Sequence, residues 1–170
     1  MAGYAGSSQP RSNRTDDLNA DRSPRAIRVD LPVSTHYLVL VRQFISSLAQ
    51  QVGFLPSDIA KIELALDEAC ANSIRAIRET EGERPKTQLR LDIQADEECL
   101  TITVHDNGDD FSSEFDSETP MQALVGSMRT SGYGLRIIKT CMDEVVYSHK
   151  PGKGNTLRLV KYVNRQNMEE

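Results

Sequence analysis

The sequence predicts an α+β domain, a two-layer sandwich with helices on one face of a mixed, mostly antiparallel sheet. Two patterns predict it. Apolar residues recur three and four apart in the stretches that follow Thr35 and Pro56, and alternate with polar residues in short runs before and after them. These stretches are also unevenly ordered along the chain, without the regular strand–helix–strand rhythm that builds a parallel sheet.

Residues 1–25 are rich in Ser, Asn, Asp, Arg and Gly and nearly devoid of apolar side chains. They are expected to form a disordered polar tail, because they bury too little surface to offset their ordering entropy. The folded domain is expected over residues 26–165. Its first element is the alternating run from Ala26 to Leu31, stopped by Pro32, which suits an edge strand. Ser34 or Thr35 then caps a helix carrying Leu38, Val41, Ile45, Leu48 and Val52, and Gly53 stands where a C-cap belongs. A second helix opens at Pro56-Ser57-Asp58, with Ser57 as candidate N-cap, and runs to about Glu79 before Gly82 and Pro85 close it. Leu89, Leu91, Ile93 and Ala95, then Leu100, Ile102 and Val104, alternate on either side of Asp96-Glu97-Glu98, the pattern of an antiparallel hairpin. From Asn107 to about Gly132 no periodicity holds, and a stretch of that length in a small domain is a lid or is disordered. A third helix covers roughly Gly134 to Met142. Two last strands, near 144–149 and 156–162, flank a turn at Pro151-Gly152-Lys153-Gly154-Asn155.

Composition narrows the function. The chain has 170 residues, 38% of them hydrophobic but only 5% aromatic, so one domain with an aliphatic core is expected. A formal net charge of −5 without a basic stripe argues against duplex nucleic acid as a partner. Cys70, Cys99 and Cys141 lack paired metal-ligand spacing and read as reduced, buried thiols. No run approaches about 18 apolar residues and the first residues lack the apolar core of a secretory signal. A cytoplasmic protein without a membrane span is expected. His105 and His149 fall on strands and read as surface residues rather than metal ligands.

On the second helix, Ile59, Ile62, Leu66, Cys70, Ser73 and Ile77 share one face, the core stripe. Glu68 and Asn72 are neighbours at i, i+4 toward the edge of that stripe, and Ala65, Ala69 and Ala76 around them leave room for a recess. In such a recess Glu68 suits a general base and the Asn72 carbonyl a Mg²⁺ ligand. Taken alone, the pair describes a solvated helix face more readily than a site. Asp106 continues the inward phase of Leu100, Ile102 and Val104. A carboxylate entering the interior needs a hydrogen-bond donor, and an adenine amino group is one, whereas guanine presents a carbonyl there. Gly108 lacks a β-carbon and lets the backbone approach a flat ring. An Asp-Asn-Gly turn ending the strand accounts for the same residues. Thr130-Ser131-Gly132-Tyr133-Gly134-Leu135 leads into the third helix, so its N–H groups and the helix dipole face an anion, with Thr130 or Ser131 adding a hydroxyl to a phosphate oxygen. No strand precedes this turn, which excludes a dinucleotide fingerprint. The spacing in Gly152-Lys153-Gly154-Asn155-Thr156 is that of a hairpin turn and not of a P-loop.

In this order, the three segments resemble the motifs of the GHKL ATPase superfamily. Glu68 to Asn72 is similar to its N-box, Asp106-Asn107-Gly108 to its G1 box and Gly132-Tyr133-Gly134-Leu135 to its G2 box. Within the superfamily the chain most resembles the anti-sigma factor serine kinases, whose Asp-Glu-Ala-x-x-Asn pattern is met by Asp67 to Asn72, with Met142-Asp143-Glu144-Val145 a further likeness. The resemblance spans residues 27–162. It implies ATP/ADP and Mg²⁺ as cofactors, with Glu68 as base, Asn72 as metal ligand and Asp106 as adenine acceptor. It also implies Gly108 beneath the base, and Gly132 and Gly134 at the phosphates. The reaction it implies is transfer of the γ-phosphate to a serine of a small anti-anti-sigma (STAS-type) protein. A sigma factor would be the second partner, held by a homodimer.

The chain departs from the pattern at Asp110, where a second glycine is common before Phe111, and at Arg75 and Ala76, the latter in place of a histidine. Acids at Asp109, Asp110, Glu114, Asp116 and Glu118 crowd the lid and are expected to face solvent. A non-catalytic anti-sigma module in which nucleotide only sets conformation is the alternative, and retention of Glu68 favours catalysis. A histidine kinase fragment would need an upstream helical pair carrying a phospho-acceptor histidine, where this sequence has only a polar tail.

Overall fold

The computed structural model describes residues 26–82, 85–107, 131–151 and 153–164. Among them, five strands form one sheet: β1 (Ile27–Pro32), β2 (Gln88–Ala95), β3 (Cys99–Asp106), β4 (Glu144–Lys150) and β5 (Gly154–Tyr162). Their order is β1-β2-β3-β5-β4. Every neighbouring pair is antiparallel, so the sheet is uniformly so rather than mixed. The reason lies in β5. It inserts between β3 and β4, the one sequential pair joined by a helix that runs in the same sense. Three helices, α1 (Leu38–Val52), α2 (Pro56–Glu81) and α3 (Ser131–Cys141), complete the described domain.

The alternation read from sequence sets the two faces of the sheet. Leu89, Leu91 and Ile93 of β2, Leu100, Ile102 and Val104 of β3, and Leu157 and Leu159 of β5 are buried in one cluster with Ile45, Ile62, Leu66, Ile77 and Ile138 of the helices. The intervening residues carry charge and pair across strands. Arg28 Nε lies 2.7 Å from Asp92 Oδ1 and Arg90 Nε 2.7 Å from Asp30 Oδ1. His105 Nε2 reaches Asp92 Oδ2 at 3.0 Å, so this histidine is half-buried in a hydrogen bond rather than simply at the surface. Exposed pairs of this kind are screened by water and contribute little, so the apolar face and not the charged one drives assembly.

Helix boundaries follow their caps, with two differences. Ser34 caps a short 3₁₀ turn, Thr35–Tyr37, by accepting from the His36 N–H, and α1 follows. Gly53 ends α1 at φ 102° and donates to the Ala49 and Gln50 carbonyls. Ser57 is not the N-cap of α2. Pro56 already occupies the first turn, where its missing N–H costs nothing, and Leu55 takes the cap position without a side-chain bond. The helix then runs to Glu81. Ala65 and Ala69 are fully buried, so they serve close packing of α2 and do not line an open recess; Ala76 is half-buried.

The third helix begins at Ser131, earlier than the pattern predicts, which places Gly132 and Gly134 inside its first turn and not in a loop before it. At its other end, Asp143 ties the corner to β5. Its carboxylate accepts from Lys161 Nζ at 2.8 Å and from the Tyr162 N–H at 2.7 Å, while its own N–H donates to the Val160 carbonyl at 2.9 Å. Burial opposes ionisation of Asp143, but the bonds from Lys161 and the Tyr162 N–H outweigh it and hold the carboxyl below its ordinary range. Cys70 is buried on α2, where desolvation pushes its thiol up to about 12, so it stays protonated. Cys141 is buried and Cys99 half-buried, both as free thiols.

Candidate functional site

The site is organised along one flank of α2. Glu68 and Asn72 are both half-buried there, one turn apart. Glu68 lies directly against the first turn of α3. A β-carbon built on Gly134 would fall 1.9 Å from Glu68 Oε1, 2.6 Å from Cδ and 2.8 Å from Cγ. Only glycine leaves space for that carboxylate. Gly132 and Ser131 share the same turn of α3, but their side-chain surroundings, like Thr130 and Gly108 altogether, lie outside the described residues.

This contact gives a test with two readouts. Gly134→Ala is expected to leave stability unchanged or raise it by up to about 1 kcal/mol, because alanine favours a helix over glycine. It is also expected to force the flexible Glu68 side chain aside; where Glu68 is the base that the resemblance implies, such a displacement costs on the order of 10²-fold in rate. Thermal unfolding reads the first effect, and an assay of the implied phosphate transfer reads the second.

One and a half turns along α2 from Glu68, a rise of about 7.5 Å, Ser73 reaches the end of β3. Its hydroxyl donates to Asp106 Oδ2 at 2.7 Å, and the Asn155 amide donates to Asp106 Oδ1 at 2.8 Å. Asp106 is buried, as the inward phase of the strand predicts, and both oxygens are oriented. Asn155 is held in turn. Its carbonyl accepts from the Tyr147 hydroxyl at 2.6 Å and lies 2.9 Å from His149 Nδ1. Four residues thus act here that the sequence reading left elsewhere: Ser73 in the core stripe, Asn155 in a turn, His149 on the surface and Tyr147 unassigned. Signals for two were present. Asn155 extends the buried phase of Leu157 and Leu159 back by two, and it pairs with Asp106 in the strand register. Ser73 is a hydroxyl on an otherwise aliphatic stripe. Gly154, at φ 81°, lets β5 start this close: a β-carbon there would sit 2.0 Å from the Asp106 carbonyl oxygen.

Asn72 presents its carbonyl oxygen to a cation already. Arg75 Nη1 donates to Asn72 Oδ1 at 3.2 Å. An uncharged, half-exposed amide oxygen facing a positive group suits a hard divalent ion that keeps most of its waters. The donor set therefore fits a nucleotide with its metal. A carboxylate acceptor stands at one end, a hard oxygen in the middle, and the N-terminal turn of α3 over a second carboxylate at the other end.

The family model of the histidine kinase-like ATPase domain matches residues 31–161. The chain belongs to this family. As a histidine kinase-like ATPase domain it is 30% identical over 152 residues to serine-protein kinase RsbW of Bacillus cereus strain G9842, covering 84% of this chain and 88% of that one. To RsbW of Bacillus velezensis it is 28% identical over 150 residues, covering 84% and 89%. Two solved structures share the fold. One is the SiaB–SiaC complex of Pseudomonas aeruginosa, with TM-score 0.61 and 14% identity over 79% of this chain and 88% of that one. The other holds the RsbU and RsbW domains of a Mycobacterium tuberculosis protein, with TM-score 0.55 and 16% identity over 81% of this chain and 32% of that one. Among the described residues, no helix is long and apolar enough to cross a membrane.

Proposed function

We propose that this histidine kinase-like ATPase domain is an ATP-dependent protein-serine kinase acting as the anti-sigma factor of a partner-switching module, with a STAS-type anti-anti-sigma protein as substrate. Its similarity to the RsbW serine-protein kinases supports the class. The observation that carries the reading is the Glu68 carboxylate seated on Gly134, in the first turn of α3.

In this reading, Asp106 accepts from the adenine amine, with Ser73 and Asn155 fixing both of its oxygens. Gly108 lies beneath the base, and Gly132, Gly134, Thr130 and Ser131 surround the phosphates. Asn72 offers its oxygen to Mg²⁺. When bound, ATP supplies the γ-phosphoryl group and Mg²⁺ the charge that offsets it. Glu68 accepts the proton of the substrate serine hydroxyl, and the N–H groups at the start of α3 stabilise negative charge on the phosphates. Little covalent work falls to the protein, so positioning and electrostatics carry the rate. A homodimer holding a sigma factor in the cytoplasm completes the module.

Thermal unfolding with nucleotide tests it. At a hundredfold excess over Kd, ADP with Mg²⁺ is expected to stabilise the chain by about 2.7 kcal/mol, and GDP not to do so. Incubation with ATP and the small protein that co-purifies should then place phosphate on a serine of that protein. Equal stabilisation by GDP, or none by ADP, would sink the proposal.

A further inference from the structure

One turn beyond Asn72, the guanidinium of Arg75 holds the oxygen that the proposed function assigns to the metal. We propose that Arg75 is a metal-exchange residue: it donates to the Asn72 carbonyl oxygen and yields that atom to the divalent cation, the two never sharing it. This inference rests on the ATP-binding reading above and deepens it.

The argument is electrostatic. Residues three apart on a helix are neighbours, so the contact between Arg75 and Asn72 needs no rearrangement to form. A magnesium ion binds oxygen at about 2.1 Å. With Arg75 Nη1 3.2 Å from the same atom, the two charges would lie within about 5 Å of each other, where like charges repel even in water. Arginine cannot relieve this by losing its proton. One cation must leave, and the arginine can. Arg75 is exposed, so its departure disturbs no packing. It also lines a cleft of about 410 Å³ together with Thr35, Ala71, Ile74, Arg78 and Glu79, where the Glu79 carboxylate, four residues on along the same helix, offers an alternative partner.

The arrangement has two opposing effects. It keeps the Asn72 amide with its oxygen outward, ready for metal, and it makes the metal compete for that oxygen. Metal affinity in the nucleotide complex is therefore weaker than Asn72 alone would give.

Titration of Mn²⁺ into the full-length chain saturated with ADP, read by paramagnetic resonance or calorimetry, tests this. Arg75→Met keeps the aliphatic stem and removes the charge, and is expected to tighten Mn²⁺ binding about three- to tenfold. Arg75→Lys, which keeps the charge, should fall between. In an Asn72→Ala background, Arg75→Met should change nothing. Unchanged Mn²⁺ affinity in Arg75→Met overturns the proposal, as does the same gain without Asn72. A parent chain that shows no ADP-dependent thermal shift overturns the nucleotide reading as well, whereas a normal shift with an unchanged titration removes the role of Arg75 alone.

Discussion

A Glu68→Gln chain is expected to bind ADP as the parent does and to transfer phosphate about 10²- to 10⁴-fold more slowly. Glutamine has the shape of glutamate, so it still fits the space that Gly134 leaves open. What it loses is the ability to accept a proton. Single-turnover transfer measures the chemical step apart from nucleotide binding, and the thermal shift with ADP measures binding alone. The two should separate cleanly. Transfer at the parental rate would remove Glu68 from the chemistry and leave it a packing residue under α3.

The second large effect is expected at Asp106. Asp106→Asn should weaken ADP binding about 10- to 100-fold, since a hydrogen bond to a charged group is worth about 1.5–3 kcal/mol. Its preference for ADP over GDP should narrow at the same time. The fold should tolerate the change. The new amide can keep its oxygen toward the Asn155 donor and turn its nitrogen toward Ser73, whose hydroxyl accepts as readily as it donates. Calorimetric titration with both nucleotides checks the affinities and a melt checks the fold. Undiminished ADP affinity would place the base elsewhere.

Much of this architecture was legible in the sequence. Period-two alternation located the strands, and continuing it by two positions past Val104 put Asp106 inside. The core stripe of α2 was read correctly from Ile59 to Ile77. Less legible was anything set by contacts between distant segments. Uniform antiparallel pairing depends on β5 inserting beside β3, which no local pattern encodes. Ser73 and Asn155 look ordinary until the partner carboxylate is known. Gly132 and Gly134 suggested a loop because glycine disfavours helix interiors, yet a first turn accepts them, and at Gly134 the Glu68 side chain demands one. Ser57 failed as a cap for a comparable reason, since the proline beside it starts the helix first.

The carboxylate of Asp106 is gripped from both directions along the chain, by a serine 33 residues upstream and an asparagine 49 residues downstream. A chain emerging from the ribosome therefore holds α2 and the first hairpin well before it holds the second donor to Asp106. Only when the final strand docks does the aspartate gain its second donor and β3 its remaining neighbour. In the proposed reading, a chain truncated before β5 therefore cannot complete the adenine site, because the piece it lacks also gives β3 its second neighbour.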